Sequence, residues 1–174
     1  MMKNKVVFLI IFLILIPLAF KQVFSEEEYL QAKIFVKSGN REFAFMHFNA
    51  ILKDSLQSEH RQEALFATAE YFFQASDFVD AFSALKEFLE EYPSSKMRIF
   101  ALLYLLKISQ IWDKDQLAKD FEKQIINYKR IVLLFKDAQE YECTSPLGLN
   151  YTLRYYIDRL EFYSDGKLQT KVYY

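Results

Sequence analysis

The chain has 174 residues, 52% of them apolar and 18% aromatic, with a formal net charge of −1. That is enough apolar content for one continuous core and too much for a disordered chain. Near-neutral charge without a basic aromatic patch argues against a nucleic-acid binder, and the single cysteine, Cys143, excludes an intramolecular disulfide or a cysteine cluster around a metal. With only three glycines and three prolines the chain is poor in turn residues, so the expected fold class is all-α.

Residues 6–20 (VVFLIIFLILIPLAF) are uncharged and follow Lys3 and Lys5. A positive start followed by a short apolar run is the layout of a secretory signal, with a permissible cleavage site after Val23-Phe24-Ser25. A retained anchor is the rival reading, although fifteen residues rise only about 22 Å against a hydrocarbon core of about 30 Å. Either way residues 26–174 are expected outside the cytoplasm, periplasmic or membrane-anchored. No cysteine follows the run, so lipid attachment is not expected. Residues 1–25 hold three lysines and no acid, which leaves 19 basic and 23 acidic residues beyond them, net −4.

In residues 63–95 (EALFATAEYFFQASDFVDAFSALKEFLEEYPSS) Leu65, Ala69, Phe72 and Phe73 share one helical face. After a break at Ala75-Ser76-Asp77, a second face carries Phe78, Ala81, Phe82, Leu85, Phe88 and Leu89, and Pro93 ends it. Ser76 or Asp77 suits the cap between the two helices. An earlier copy reads Ala32, Phe35, Gly39, Ala44, Phe48 and Ile51, with a step of 37 residues from Ala44 to Ala81. A third, looser copy predicts helices over 97–111 and 115–128, the first nearly apolar all round and capped by Ser94 or Ser95.

The hairpin at 63–95 resembles a tetratricopeptide (TPR) unit: Leu65, Ala69, Phe72, Ala81, Leu85, Phe88 and Pro93 fall at that family's spacings, and FLEEYPSS looks like the second-helix ending of TPR proteins of the bacterial cell envelope. The resemblance spans residues 26–128 and implies antiparallel helical hairpins stacked as a short TPR-like solenoid behind an N-terminal apolar signal or anchor helix. The expected division is 1–25 signal or anchor, 26–128 repeats and 129–174 a C-terminal helical capping segment. Within the last, helix is expected to continue through 131–141 and to restart at Ser145-Pro146, running to about Tyr163. Asp165-Gly166 between Leu160–Tyr163 and Leu168–Tyr174 offers a hairpin turn as the alternative.

No catalytic constellation emerges. His47 and His60 fall on different elements without metal-ligand spacing. Ser164-Asp165-Gly166-Lys167 fits a nucleophile pattern whose companion motifs are missing. Asn150-Tyr151-Thr152 is a formal sequon placed in a predicted helix. The expectation is therefore a non-enzyme without cofactor or metal. The resemblance implies a concave groove lined by Tyr29, Lys33, Phe66, Glu70, Phe73, Phe100 and Tyr104, holding a partner protein or peptide. The expected function is a non-catalytic cell-envelope scaffold or adaptor, in contact with the membrane if the N-terminal segment is uncleaved. The alternative is a structural subunit that self-associates through its convex or C-terminal surface.

Overall fold

The computed structural model describes residues 24–54, 58–132, 140–156 and 158–174. The signal or anchor expectation for 1–25 lies almost wholly outside these residues, as does the first half (55–57) of the predicted inter-repeat loop at 55–60. Among the described residues no helix is long and apolar enough to cross a membrane.

Among the described residues six helices come first. Residues 24–37 are helical and are called α1 here. There follow α2 (Arg41–Asp54), α3 (Arg61–Gln74), α4 (Phe78–Glu91), α5 (Arg98–Ile111) and α6 (Asp115–Val132). They form three hairpins in strict register. The first helices end at 37, 74 and 111 and the second helices begin at 41, 78 and 115, a step of 37 each time. The turns repeat as well. Gly39, Ser76 and Asp113 all sit at positive φ (76°, 63° and 52°). Around each, the same two backbone bonds recur: Gly39 N to Val36 O and Asn40 N to Phe35 O, Ser76 N to Phe73 O and Asp77 N to Phe72 O, Asp113 N to Gln110 O and Lys114 N to Ser109 O. This pairing satisfies the last carbonyls of a helix by a left-handed residue just beyond it. Asp77 then caps α4, its carboxylate accepting from Asp80 N at 3.3 Å, and Asn40 does the same for Phe43 N at 3.2 Å. The third copy, loose in residue type, keeps the same geometry.

The all-α expectation is wrong at the C-terminus. Residues 140–173 form a four-stranded antiparallel sheet: β1 (Glu140–Thr144), β2 (Asn150–Tyr155), β3 (Arg159–Ser164) and β4 (Lys167–Tyr173), paired in sequence order. The helix expected through 131–141 is helical at 131–132 and a strand from 140, and the helix expected from Pro146 to Tyr163 is instead β2 and β3. The sequon residues Asn150-Tyr151-Thr152 are accordingly on a strand. The hairpin alternative at Asp165-Gly166 is the observed one. Both residues have positive φ (47° and 73°), as a two-residue turn matching the twist of its strands requires. Ser145-Pro146 opens a tight turn, not a helix; it is closed by Gly148 N donating to Ser145 O at 3.0 Å.

Alternation explains the strands. Tyr151 and Leu153 of β2 and Leu160 and Phe162 of β3 are at most 1% exposed, while Asn150 and Arg154 between and beside them face solvent. The buried face of the sheet lies on the helices, in one core with Phe66 of α3, Phe100 and Tyr104 of α5 and Phe121 of α6. A second, smaller core (Ala32, Ala44, Phe48, Ile51, Ala64, Ala67 and Leu147) joins the first hairpin to α3 and to the β1–β2 turn.

Candidate functional site

The predicted groove residues fall into two groups. Phe66, Glu70, Phe73, Phe100 and Tyr104 come together, but beneath the chain's own sheet. Phe66, Glu70 and Tyr104 are 0% exposed, Phe100 1% and Phe73 9%. Tyr151 of β2 lies 4.7 Å from the Phe100 ring and Phe162 of β3 5.4 Å from the Tyr104 ring, edge-on. These aromatics pack a core of the kind that ring geometry favours. Tyr29 and Lys33 stay partly exposed at the α1–α3 seam, where the Tyr29 hydroxyl donates to Glu63 at 2.9 Å and Lys33 Nζ lies 3.8 Å from the same carboxylate. The helical face expected to receive a partner is thus occupied by residues 140–173.

Glu70 is the chemical centre of that seam. It has no exposure, and its carboxyl meets the Tyr151 hydroxyl through Oε1 and accepts from Leu147 N through Oε2 at 3.3 Å. Tyr151 in turn bonds to Tyr104 at 3.0 Å. Tyr151 has one proton for two neighbours, so one of these bonds takes its proton from the neighbour, Glu70 or Tyr104. Burial holds the Glu70 carboxyl well above its ordinary range; hydrogen bonds from Ser145 and Leu147 and the more distant Arg41 pull it back only in part. Burial also raises Tyr104 well above the usual phenol range. Nearby, Arg41 forms an exposed pair with Asp165 at 2.8 Å, tying α2 to the β3–β4 turn. Asp165 also accepts from Asn150 N at 2.9 Å. The Arg41–Asp165 contact joins residues 124 positions apart, which no local pattern could show.

A separate group lies where α1 meets the start of α3. Glu26, Glu59 and His60 place three donor atoms within 4.8 Å of one another. His60 Nε2 is already paired with Glu26 Oε2 at 2.7 Å, and its ring stacks on Tyr29 at 3.7 Å. Both carboxylates are exposed, so the cluster reads as an ion pair that fixes the α1–α3 junction. His47 is likewise paired, with Glu28 at 2.7 Å. Both contacts escape a reading of the sequence because they join residues 34 and 19 positions apart.

What remains open is the outside of the helical layer. Phe43 and Met46 of α2 are 46% and 56% exposed, and Val79 of α4 is 69% exposed. Polar residues, Asp80 and Ser83, stand at the positions of Phe43 and Met46 one repeat on. A scan against protein-family models finds no match for this chain, and a search of curated proteins finds none either.

Proposed function

We propose that the protein is a non-catalytic scaffold of the cell envelope that binds a partner protein through the outer surface of its helical hairpins. The observation that carries this reading is the occupancy of the inner face: Phe66, Phe100 and Tyr104 are spent on holding the sheet. The apolar side chains left without cover on the helices include Phe43, Met46 and Val79 on the second helices of the hairpins. Phe43 and Met46, three residues apart on α2, share one helical face, and clustered exposed apolar residues mark interaction surfaces more often than scattered ones do. The envelope placement rests on the lysine-first apolar run at 6–20 alone, and the scaffold reading on the repeat-like packing of the helical hairpins.

The test is a crosslinking capture from native membranes, comparing the full chain with a Phe43→Ser/Met46→Ser variant and a Tyr29→Ala/Lys33→Ala variant of the inner seam. The expected result is one defined partner, lost with the outer variant and kept with the inner one. Equal capture by all three sinks the outer-surface reading. A chain-sized crosslinked product in place of a partner would replace the adaptor with a self-associating subunit.

A further inference from the structure

The first helix has one side that the rest of the fold does not use. It meets α2 through Glu28, paired with His47 at 2.7 Å, and through Phe35, stacked on the rings of Phe43 and His47. It meets α3 through Tyr29 and Lys33, both on Glu63, and Ala32 is buried in the core between them. Turned away from these contacts are Glu27, Leu30, Ile34 and Lys37, all four exposed, with Leu30 at 53% and Ile34 at 56%. Glu26, Glu28 and Lys33 are each paired within the chain. Among the described residues Glu27 and Lys37 form no ion pair.

The spacing of the four is three, four, three, the period at which side chains on one helix line a seam against a second helix. Their order is acid, apolar, apolar, base. Residues 27 and 37 are equidistant from 32, and so are 30 and 34. A second α1 laid antiparallel about a two-fold axis at residue 32 therefore sets Leu30 of one copy on Ile34 of the other, and Glu27 of one beside Lys37 of the other. A parallel pair would set Glu27 against Glu27 and Lys37 against Lys37, like charges at both ends. We infer that this stripe is a self-recognition surface through which two copies of the chain pair antiparallel, each presenting the same patch to the other. Charge complementarity selects the occupant: the stripe matches its own reverse. Fourteen residues of helix are about 21 Å long, so one such pair is smaller than a standard stable interface and the dimer is weak and concentration-dependent. The stripe does not include Phe43 or Met46, so this inference stands apart from the outer-surface reading.

The test keeps the full chain in native membranes, with Cys143→Ala to remove the endogenous thiol. Two differently tagged copies are expressed together, one with Glu27→Cys and the other with Lys37→Cys, and treated with a short bismaleimide. The control carries Glu27→Cys in both copies, which antiparallel pairing holds about 15 Å apart along the axis, so the first pair should give roughly fivefold more two-tag product. Equal yields, the reverse order, or no two-tag product from either pair would each overturn the inference. Charge reversal supplies the second readout, by sedimentation of the purified full chain in detergent. Glu27→Lys and Lys37→Glu should each weaken the dimer roughly fivefold by setting like charges together at both ends. An equal mixture of the two variants should restore it, because each lysine then meets a glutamate of the other copy. A dimer that survives either reversal, or a mixture no more dimeric than its components, would refute self-recognition through α1.

Discussion

Replacing Glu70 with glutamine removes the titration and keeps the shape. In the folded chain the Glu70 carboxyl is fully buried and held well above its ordinary pKa of 4.5, chiefly by desolvation. In the unfolded chain it ionises normally, so above that value folding must take up a proton. The stability this group contributes is therefore fully present below the ordinary carboxyl pKa and is lost as pH rises towards the folded one. The Glu70→Gln variant carries no such linkage. While the folded carboxyl keeps its proton, the variant gains on the wild type by about 1.4 kcal/mol for each pH unit. Between pH 5 and pH 7 the gap should widen in the variant's favour, and the Tm difference with it. Any loss from the amide's poorer fit to Tyr151 and Leu147 shifts both pH values alike. The assay is urea unfolding at pH 5, 6, 7 and 8, followed by the fluorescence of Trp112, which packs 5.2 Å from the Phe82 ring. A gap that stays constant with pH, or a wild type that gains on the variant as pH rises, would mean that Glu70 is ionised in the fold.

Two further outcomes follow from backbone geometry. Ser76 holds the left-handed turn position occupied by Gly39 in the first repeat, at φ 63°, so Ser76→Gly should stabilise by about 1 kcal/mol and raise Tm, while Gly39→Ala should lower it by a similar amount; a Ser76→Gly variant less stable than the wild type would contradict the equivalence of the turns. At Gly148, φ is +81° and an added Cβ would meet Val36 Cγ1 at 2.8 Å. Gly148→Ala should therefore destabilise by about 2 kcal/mol in chemical denaturation, with partial rescue by Val36→Ala. No rescue would mean that backbone strain alone carries the loss.

The two carboxylates buried in different ways give opposite acid responses. Glu161, on the outer face of the sheet, accepts from Tyr163, Arg159 and Lys171, which hold it down at about 2. Its contribution is present above the ordinary carboxyl pKa of 4.5 and fades as pH falls towards 2. Glu161→Gln should therefore flatten the acid limb of the stability profile, where Glu70→Gln flattens the limb above pH 5. An unaltered acid limb in Glu161→Gln would place the acid sensitivity elsewhere.

Much of the helical layer can be read directly from residue order. Ala69, Ala81 and the aromatic faces around them place α3 and α4, Asp77 stands out as a cap, and the 37-residue step from Ala44 to Ala81 governs the whole stack. Such features are local: a helix is specified by the spacing of neighbours three and four apart, and a turn by the residue that tolerates positive φ. The sheet is misread because turn-poor composition and the Ser145-Pro146 pair favour a helix, although Tyr151, Leu153, Leu160 and Phe162 alternate as strand residues do.

The groove is where tertiary structure overrules residue order. Phe66, Phe100 and Tyr104 lie on the faces expected for them, but a helical face does not state what will cover it. That depends on contacts such as Glu70 with Tyr151 and Tyr104 with Tyr151, which join residues 81 and 47 positions apart. Pairing over such distances is decided by which surfaces bury the most apolar area together and satisfy their polar groups. In this chain its own sheet wins that competition.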